Sequence, residues 1–403
     1  MYGKWLGCSQ IMWREGAKQM ERGPILILTG DYGSGHIQAA GALRNAIKAA
    51  HPELPTMVMD YMAQAHPRMH PFSKYMYLNG VQSFPRTYGY IYSKTRGQNR
   101  LSSSLKYMHG FGLGKFLAML DRVKPSAIIA TFPLAAGAAS LMKVGGYCHA
   151  PLITVITDFT DHSYWLHPQT DLYIVGSQEV AHRLTRVGVD PGRIAVTGIP
   201  IRPEYSRFYD KQTIRAELGL SSELPTLLVM GGGNGLMGQE VTESLSSWVQ
   251  NHDHPNLQLI IVCGHNEKLK QQLSRLRAVS RVPLVVTGFT DRIPELMAAS
   301  DILITKSGGL TSSEALASGL PMLIYKPLPG QEIDNANFLR HSGAALHLSG
   351  LDELKRSVRL LLSNPSHLDT MRHHALRISK PHAAESAAHI AATLVYQTTK
   401  ITV

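Results

Sequence analysis

The chain has 403 residues, of which 44% are hydrophobic and 17% charged, with 35 Gly and 22 Pro spread along it. That composition excludes a disordered chain and, at about 100–200 residues per domain, implies two to three folded domains. The net charge of +11 is unevenly placed, and three cysteines far apart (Cys8, Cys148, Cys263) without CxxC spacing exclude a disulfide framework and a zinc finger and fit a reducing compartment.

Residues 1–23 form a lead with mixed charges and no apolar h-region, so they are not a signal peptide. We read them as disordered, with Met20 as an alternative start. The longest uncharged stretch, 125–142, holds two Pro, one Gly, two Ser and one Thr. It reads as a buried strand, a turn and a small-residue helix rather than a bilayer span.

From Ile25 onward short apolar runs alternate with helical stretches. Ile25–Thr29 is a strand, 38–50 an Ala-rich helix and 56–59 a second strand. Residues 61–120 then hold eight Lys/Arg, seven Tyr and four Phe, and no Asp or Glu. Such a segment can bind nucleic acid through phosphates and stacking, or lie on an anionic bilayer. It can also be a helical face with solvated cations and buried rings. Further strands fall at 127–130, 153–156, 172–175 and 194–196, and the Gly198–Pro203 run marks the passage to a second series. That series has strands at 226–230, 259–262, 284–287, 302–305 and 322–325, and an Ala-rich tail helix at 383–397. The pattern predicts an α/β chain with two Rossmann-like doubly wound parallel sheets, whose ligands sit at the carboxyl ends of the strands.

The first strand runs into Gly30-Asp31-Tyr32-Gly33-Ser34-Gly35-His36. Gly33 and Gly35 allow close backbone approach, and the helix start offers free N–H groups. The loop is neither GxGxxG nor a P-loop. His36 suits either a structural cap or a base working near pH 7. Strand 226–230 ends in Gly231-Gly232-Gly233-Asn234-Gly235, and four glycines in five residues suggest a close ligand such as a diphosphate. Lys306-Ser307-Gly308-Gly309-Leu310 leads into a helix with Glu314 in its first turn. There a carboxylate can serve the helix dipole or accept two ribose hydroxyls. The Pro327–Gly330 turn presents Gln331 and Glu332, an amide and a carboxylate suited to sugar hydroxyls.

Taken together, GDYGSGH, GIPIRP, GGGNG, GFTDRIPELMAASDILITKSGGLTSSEALASGLP and YKPLPGQEIDNANF resemble the GT-B glycosyltransferases of family 28 that build glycolipids. The similar types are the bacterial processive diacylglycerol β-glucosyltransferases and the plant monogalactosyldiacylglycerol synthases. The resemblance covers residues 24–380, and 288–337 is its most specific part.

It implies an acceptor-binding, membrane-docking domain over 24–200, a UDP-sugar domain over 201–380 and a terminal helix over 381–403, the first two facing each other across a cleft. Phe289 and Thr290 would border the uracil, Gly232, Gly233 and Asn234 the diphosphate with Ser307, Gly308, Gly309 and Leu310, Glu314 the ribose, and Gln331 and Glu332 the hexose. His36 is the first candidate base and Asp158, at another strand end, the second. Arg86, Lys94, Arg96, Arg100 and Lys106 would meet an anionic membrane surface. The implied reaction is inverting transfer of a hexose, with glucose first, from a UDP-sugar to diacylglycerol at the cytoplasmic face of the membrane. No cofactor, metal ion or nucleic-acid partner is expected. A polyprenyl-linked acceptor or a UDP-sugar-sensing protein are the alternatives.

Overall fold

The computed structural model describes residues 23–97, 99, 102, 113–233, 235, 241 and 256–401. The lead, Arg100, Lys106 and Asn234 therefore lie outside the described residues. Among the described residues, twelve strands form two six-stranded, wholly parallel sheets. The first contains β1 (Ile25–Thr29), β2 (Thr56–Asp60), β3 (Ala127–Ala130), β4 (Leu152–Val155), β5 (Leu172–Ile174) and β6 (Ile194–Ala195), in the order β2-β1-β3-β4-β5-β6. The second contains β7 (Thr226–Met230), β8 (Gln258–Val262), β9 (Leu284–Thr287), β10 (Ile302–Thr305), β11 (Met322–Tyr325) and β12 (Ala345–Leu348), in the order β12-β11-β10-β7-β8-β9.

The central strands are buried at every position and mostly apolar because helices cover both faces of each sheet. β1, β3, β4, β7, β8, β10 and β11 are buried throughout. β12 escaped the sequence reading for the complementary reason. It is a four-residue edge strand with His347 inside it, so it lacks a continuous apolar run.

Apolar side chains of the two units meet in one cluster. Ile156, Phe159 and Ile199 pack in it with Leu228, Leu303 and Leu316, and the Phe159 and Phe338 rings stack at 4.1 Å. The tail helix Ala383–Ile401 returns to the first sheet. Its Ala387, Ala388, Ala391, Ala392 and Val395 are buried with Ile25, Ile27, Leu43 and Ile47. The small alanine face lets the helix approach the Ser34–Ala50 helix closely. The chain thus crosses between the units twice, and the crossings lie side by side. Gly198 holds a φ of +98°, and a Cβ there would fall 2.4 Å from that of Lys380.

Candidate active site

The carboxyl ends of the two sheets face each other, as sheets of this kind dictate for their ligands. Between them is a cavity of about 230 Å³. Tyr32 to His36, Tyr88, Thr157 and Asp158 line it from the first unit, and Gly231 to Gly233, Lys306, Gly308 to Thr311, Gln331 and Glu332 from the second. A second cavity of about 80 Å³ adjoins it, sharing Ser34, Gly232, Gly233, Leu310 and Thr311. Phe289, Thr290, Arg202, Tyr205 and Glu314 line its far side.

His36 stands in the first turn of the Ser34–Ala50 helix. Its Nδ1 lies 2.9 Å from the Thr157 hydroxyl, and its ring sits edge-on to Phe132 and tilted against Trp165. Burial pushes its pKa down to about 4, a shift limited by a hydrogen bond with the Thr131 backbone. The imidazole is therefore neutral at pH 7, the form in which it can accept a proton. Asp158 follows Thr157 just beyond β4. Burial raises its carboxyl to about 7, against the stabilising hydrogen bonds that its charged form receives from Asn335 Nδ2 (2.9 Å) and the Gly309 N–H.

The Gly233 region is built by packing as well as by any ligand. A Cβ on Gly233 would lie 2.5 Å from Ser34 Oγ, and one on Gly235 would lie 1.9 Å from the Cys263 carbonyl oxygen. Gly232 differs: its φ is +74° with open space around a would-be Cβ, so its backbone faces the cavity. Gly309 opens the helix Gly309–Ala317 directly against the first unit, where a Cβ would meet the Thr157 carbonyl oxygen at 2.0 Å. Leu310 and Thr311 of that helix start line both cavities together with Gly232 and Gly233. Among the described residues lining the larger cavity, Lys306 supplies a cationic side chain.

Glu332 is largely buried and its carboxyl is raised by that burial, offset by Lys306 and by the Leu328 N–H, which donates to it at 2.7 Å. Gln331 Oε1 accepts from the Tyr88 hydroxyl at 2.7 Å. Glu314 is 9% exposed, and burial pushes its carboxyl up to about 7, offset by the Tyr205 hydroxyl and Arg202. It is the sixth residue of its helix, not in the first turn as read from sequence, so a dipole role does not account for it. Phe289 is half exposed at the smaller cavity, with one ring face on His265 at 4.3 Å and 11°.

Residues 36–201 match the monogalactosyldiacylglycerol (MGDG) synthase family, and residues 226–393 match the glycosyltransferase family 28 C-terminal domain. A processive diacylglycerol beta-glucosyltransferase of Bacillus pumilus is 32% identical over 90% of this chain and 92% of its own. One of Bacillus cytotoxicus is 34% identical over 91% and 92%. The chain belongs to this family of glycosyltransferases. Its fold is shared with the crystal structure of Acinetobacter baumannii MurG, at a TM-score of 0.58 and 14% identity over 92% of this chain and 99% of that one. That likeness makes the architecture GT-B.

In this family 28 glycosyltransferase, the cavities gather His36, Asp158, Gly33, Gly35, Gly232, Gly233, Gly308, Gly309, Leu310, Gln331 and Glu332, with Phe289, Thr290 and Glu314 in the smaller one. Ser307 is the exception. It is fully buried, and its hydroxyl donates to the Glu332 carbonyl at 2.6 Å, so it braces the turn and does not line the cavity. Lys306, Tyr88, Arg202 and Tyr205 were missed. Lys306 carried a signal, a cation between a strand end and a Gly turn. The other three are remote in sequence from the motif each one meets.

The basic segment sorts by helical period. On the helix Pro85–Thr95, Arg86, Tyr90 and Lys94 recur every four residues and are all exposed, with Lys94 Nζ over the Tyr90 ring at 5.6 Å. Tyr88, Tyr92 and Arg96 recur on another stripe and turn to the second unit. Arg96 makes two 2.9 Å bonds to Asp334 and one of 2.6 Å to Asp161. Arg96 is thus removed from the membrane-facing set, because its guanidinium is held between two carboxylates.

Proposed function

We propose that this enzyme transfers a hexose, with glucose the first choice, from a UDP-sugar to the hydroxyl of diacylglycerol, inverting the anomeric centre to give a β-glycoside. The carrying observation is that relatedness to diacylglycerol glucosyltransferases spans both units whose glycine turns enclose the cavity.

The uracil lies on Phe289 and Thr290 and the ribose hydroxyls donate to Glu314. The diphosphate meets the Gly232–Gly233 turn, the start of the Gly309–Ala317 helix and Lys306. Gln331 and Glu332 hold the hexose. The acceptor hydroxyl attacks the anomeric carbon as His36 takes its proton, and the bond to the UDP oxygen breaks. Backbone N–H groups and Lys306 stabilise the charge that develops on UDP. A neutral imidazole is ready to accept that proton, and the nearby diphosphate favours the imidazolium that results. These groups supply cationic and dipolar stabilisation without a metal ion, so turnover is expected to persist in a chelator.

Docking is peripheral. Among the described residues no helix is long and apolar enough to cross a membrane. The surface offered to lipid is the pair of helices His70–Ser83 and Pro85–Thr95. Phe72, Tyr75, Phe84 and Tyr90 are each more than 60% exposed there, beside Arg86 and Lys94. Aromatic rings at headgroup level with cations between them suit the anionic cytoplasmic leaflet.

The test is a product assay on phosphatidylglycerol vesicles holding diacylglycerol. UDP-glucose, UDP-galactose and UDP-N-acetylglucosamine are supplied in parallel, with and without EDTA, and lipids are read by mass spectrometry. Hexosyl-diacylglycerol from UDP-glucose is expected, and successive additions would show processivity. UDP binding with no glycolipid from any donor would overturn the diacylglycerol reading.

A further inference from the structure

The motif that supplies Gln331 and Glu332 continues with Asp334 and Asn335 on the same helix, Gln331–His341, and the chemistry above uses neither. Both reach into the other unit. Asn335, fully buried, accepts from the Phe159 N–H at 2.7 Å and donates to Asp158 Oδ1 at 2.9 Å. Asp334 accepts from Arg96 twice, from the Tyr92 hydroxyl at 2.9 Å and from the Thr160 hydroxyl at 2.7 Å. Tyr88, one turn earlier on the stripe of Tyr92 and Arg96, holds Gln331. The other face of that short helix carries Arg86, Tyr90 and Lys94.

We propose that Asp334 is a positioning residue, the latch that fastens the lipid-facing Pro85–Thr95 helix to the hexose-binding turn, so that docking on a lipid surface and closure on the donor are one coupled event. The inference rests on the membrane reading above. A single helix meets lipid with one stripe and the donor turn with another, so a shift in its seat moves both. The neighbouring helix extends the same connection to the base. Ser73 bonds the Tyr32 hydroxyl and Lys74 pairs with Asp31, both in the glycine loop that leads to His36. Seating these helices on a bilayer therefore bears on both halves of the cavity, and an ion pair held between the units has two discrete states, made and broken.

Coupling of this kind is reciprocal. The experiment measures affinity for phosphatidylcholine–phosphatidylglycerol vesicles with and without saturating UDP, and affinity for UDP with and without vesicles. For the unaltered protein each ligand should tighten the other by the same factor, about fivefold or more. In Asp334→Asn each ligand still binds and the factor falls to near one. Arg96→Gln, at the end of the helix, gives the same loss and serves if Asp334→Asn does not fold, while Arg96→Lys retains part of the factor. Vesicle binding that is equal with and without UDP overturns the latch and leaves the membrane reading standing. Retention of the full factor in Asp334→Asn and Arg96→Gln also overturns it. No vesicle binding by the unaltered protein in either condition overturns the membrane reading and the latch with it.

Discussion

The connection from β2 to β3 and that from β10 to β11 leave the same kind of strand end and do opposite work. The second is short. Residues 306–321 turn on Gly308–Gly309 and return as one nine-residue helix, Gly309–Ala317, whose start faces the cavity. The first takes residues 61–126, with the described helices at 61–65, 70–83, 85–95 and 113–123. The short connection presents a helix start to the cavity. The long one presents exposed rings and cations to solvent. Under the proposed function a common scaffold would carry two recognition chemistries, separated by connection length.

The sharpest way to break this division is at the point where the two units share a reaction. His36→Ala is expected to lower kcat by about 10²–10⁴-fold with UDP affinity within about twofold of the unaltered protein, measured by single-turnover assay and titration calorimetry. With a base whose pKa is about 4 in the free enzyme, kcat/KM should stay flat from about pH 6 to 8. An acid limb centred near pH 7 would instead reassign the base to Asp158, whose carboxyl is pushed up to about 7.

On the donor side, Glu314→Ala removes the carboxylate proposed to accept the ribose hydroxyls. Hydrogen bonds to a charged group contribute about 1.5–3 kcal/mol, so UDP should bind about tenfold to a hundredfold more weakly. Unchanged affinity in calorimetry would remove Glu314 from the donor site. On the lipid side, Arg86→Ala with Lys94→Ala should weaken binding to anionic vesicles by about 2 kcal/mol at low salt, at roughly 1 kcal/mol per basic residue. Co-sedimentation reads this directly, and UDP affinity should not move.

A further effect is on stability. The Glu314 carboxyl rises from 4.5 to about 7 on folding. The folded state therefore holds a proton that the unfolded state has released, and that contribution, complete below about pH 4.5, is lost as pH rises to about 7. Thermal unfolding of ligand-free Glu314→Gln should accordingly improve relative to the unaltered protein across that window. A pH-independent difference would contradict the buried carboxyl.

Sequence alone determines most of this fold. Parallel strands covered on both faces must be continuously apolar, so 25–29, 127–130, 226–230, 302–305 and 322–325 are legible as strands at their observed bounds. The glycine turns after β1, β7 and β10 are legible too, because few residue types allow so close a backbone approach. What stays hidden is contact between distant segments. The family resemblance puts Ser307 at the diphosphate and Arg96 at a membrane surface, yet one braces the Glu332 carbonyl and the other pairs with Asp161 and Asp334. The pKa of His36 and Asp158 is likewise a property of burial, supplied by Phe132, Trp165 and the second unit. Local residue types set which chemistry is available, and tertiary packing alone decides which side chains face the cavity and how they are charged.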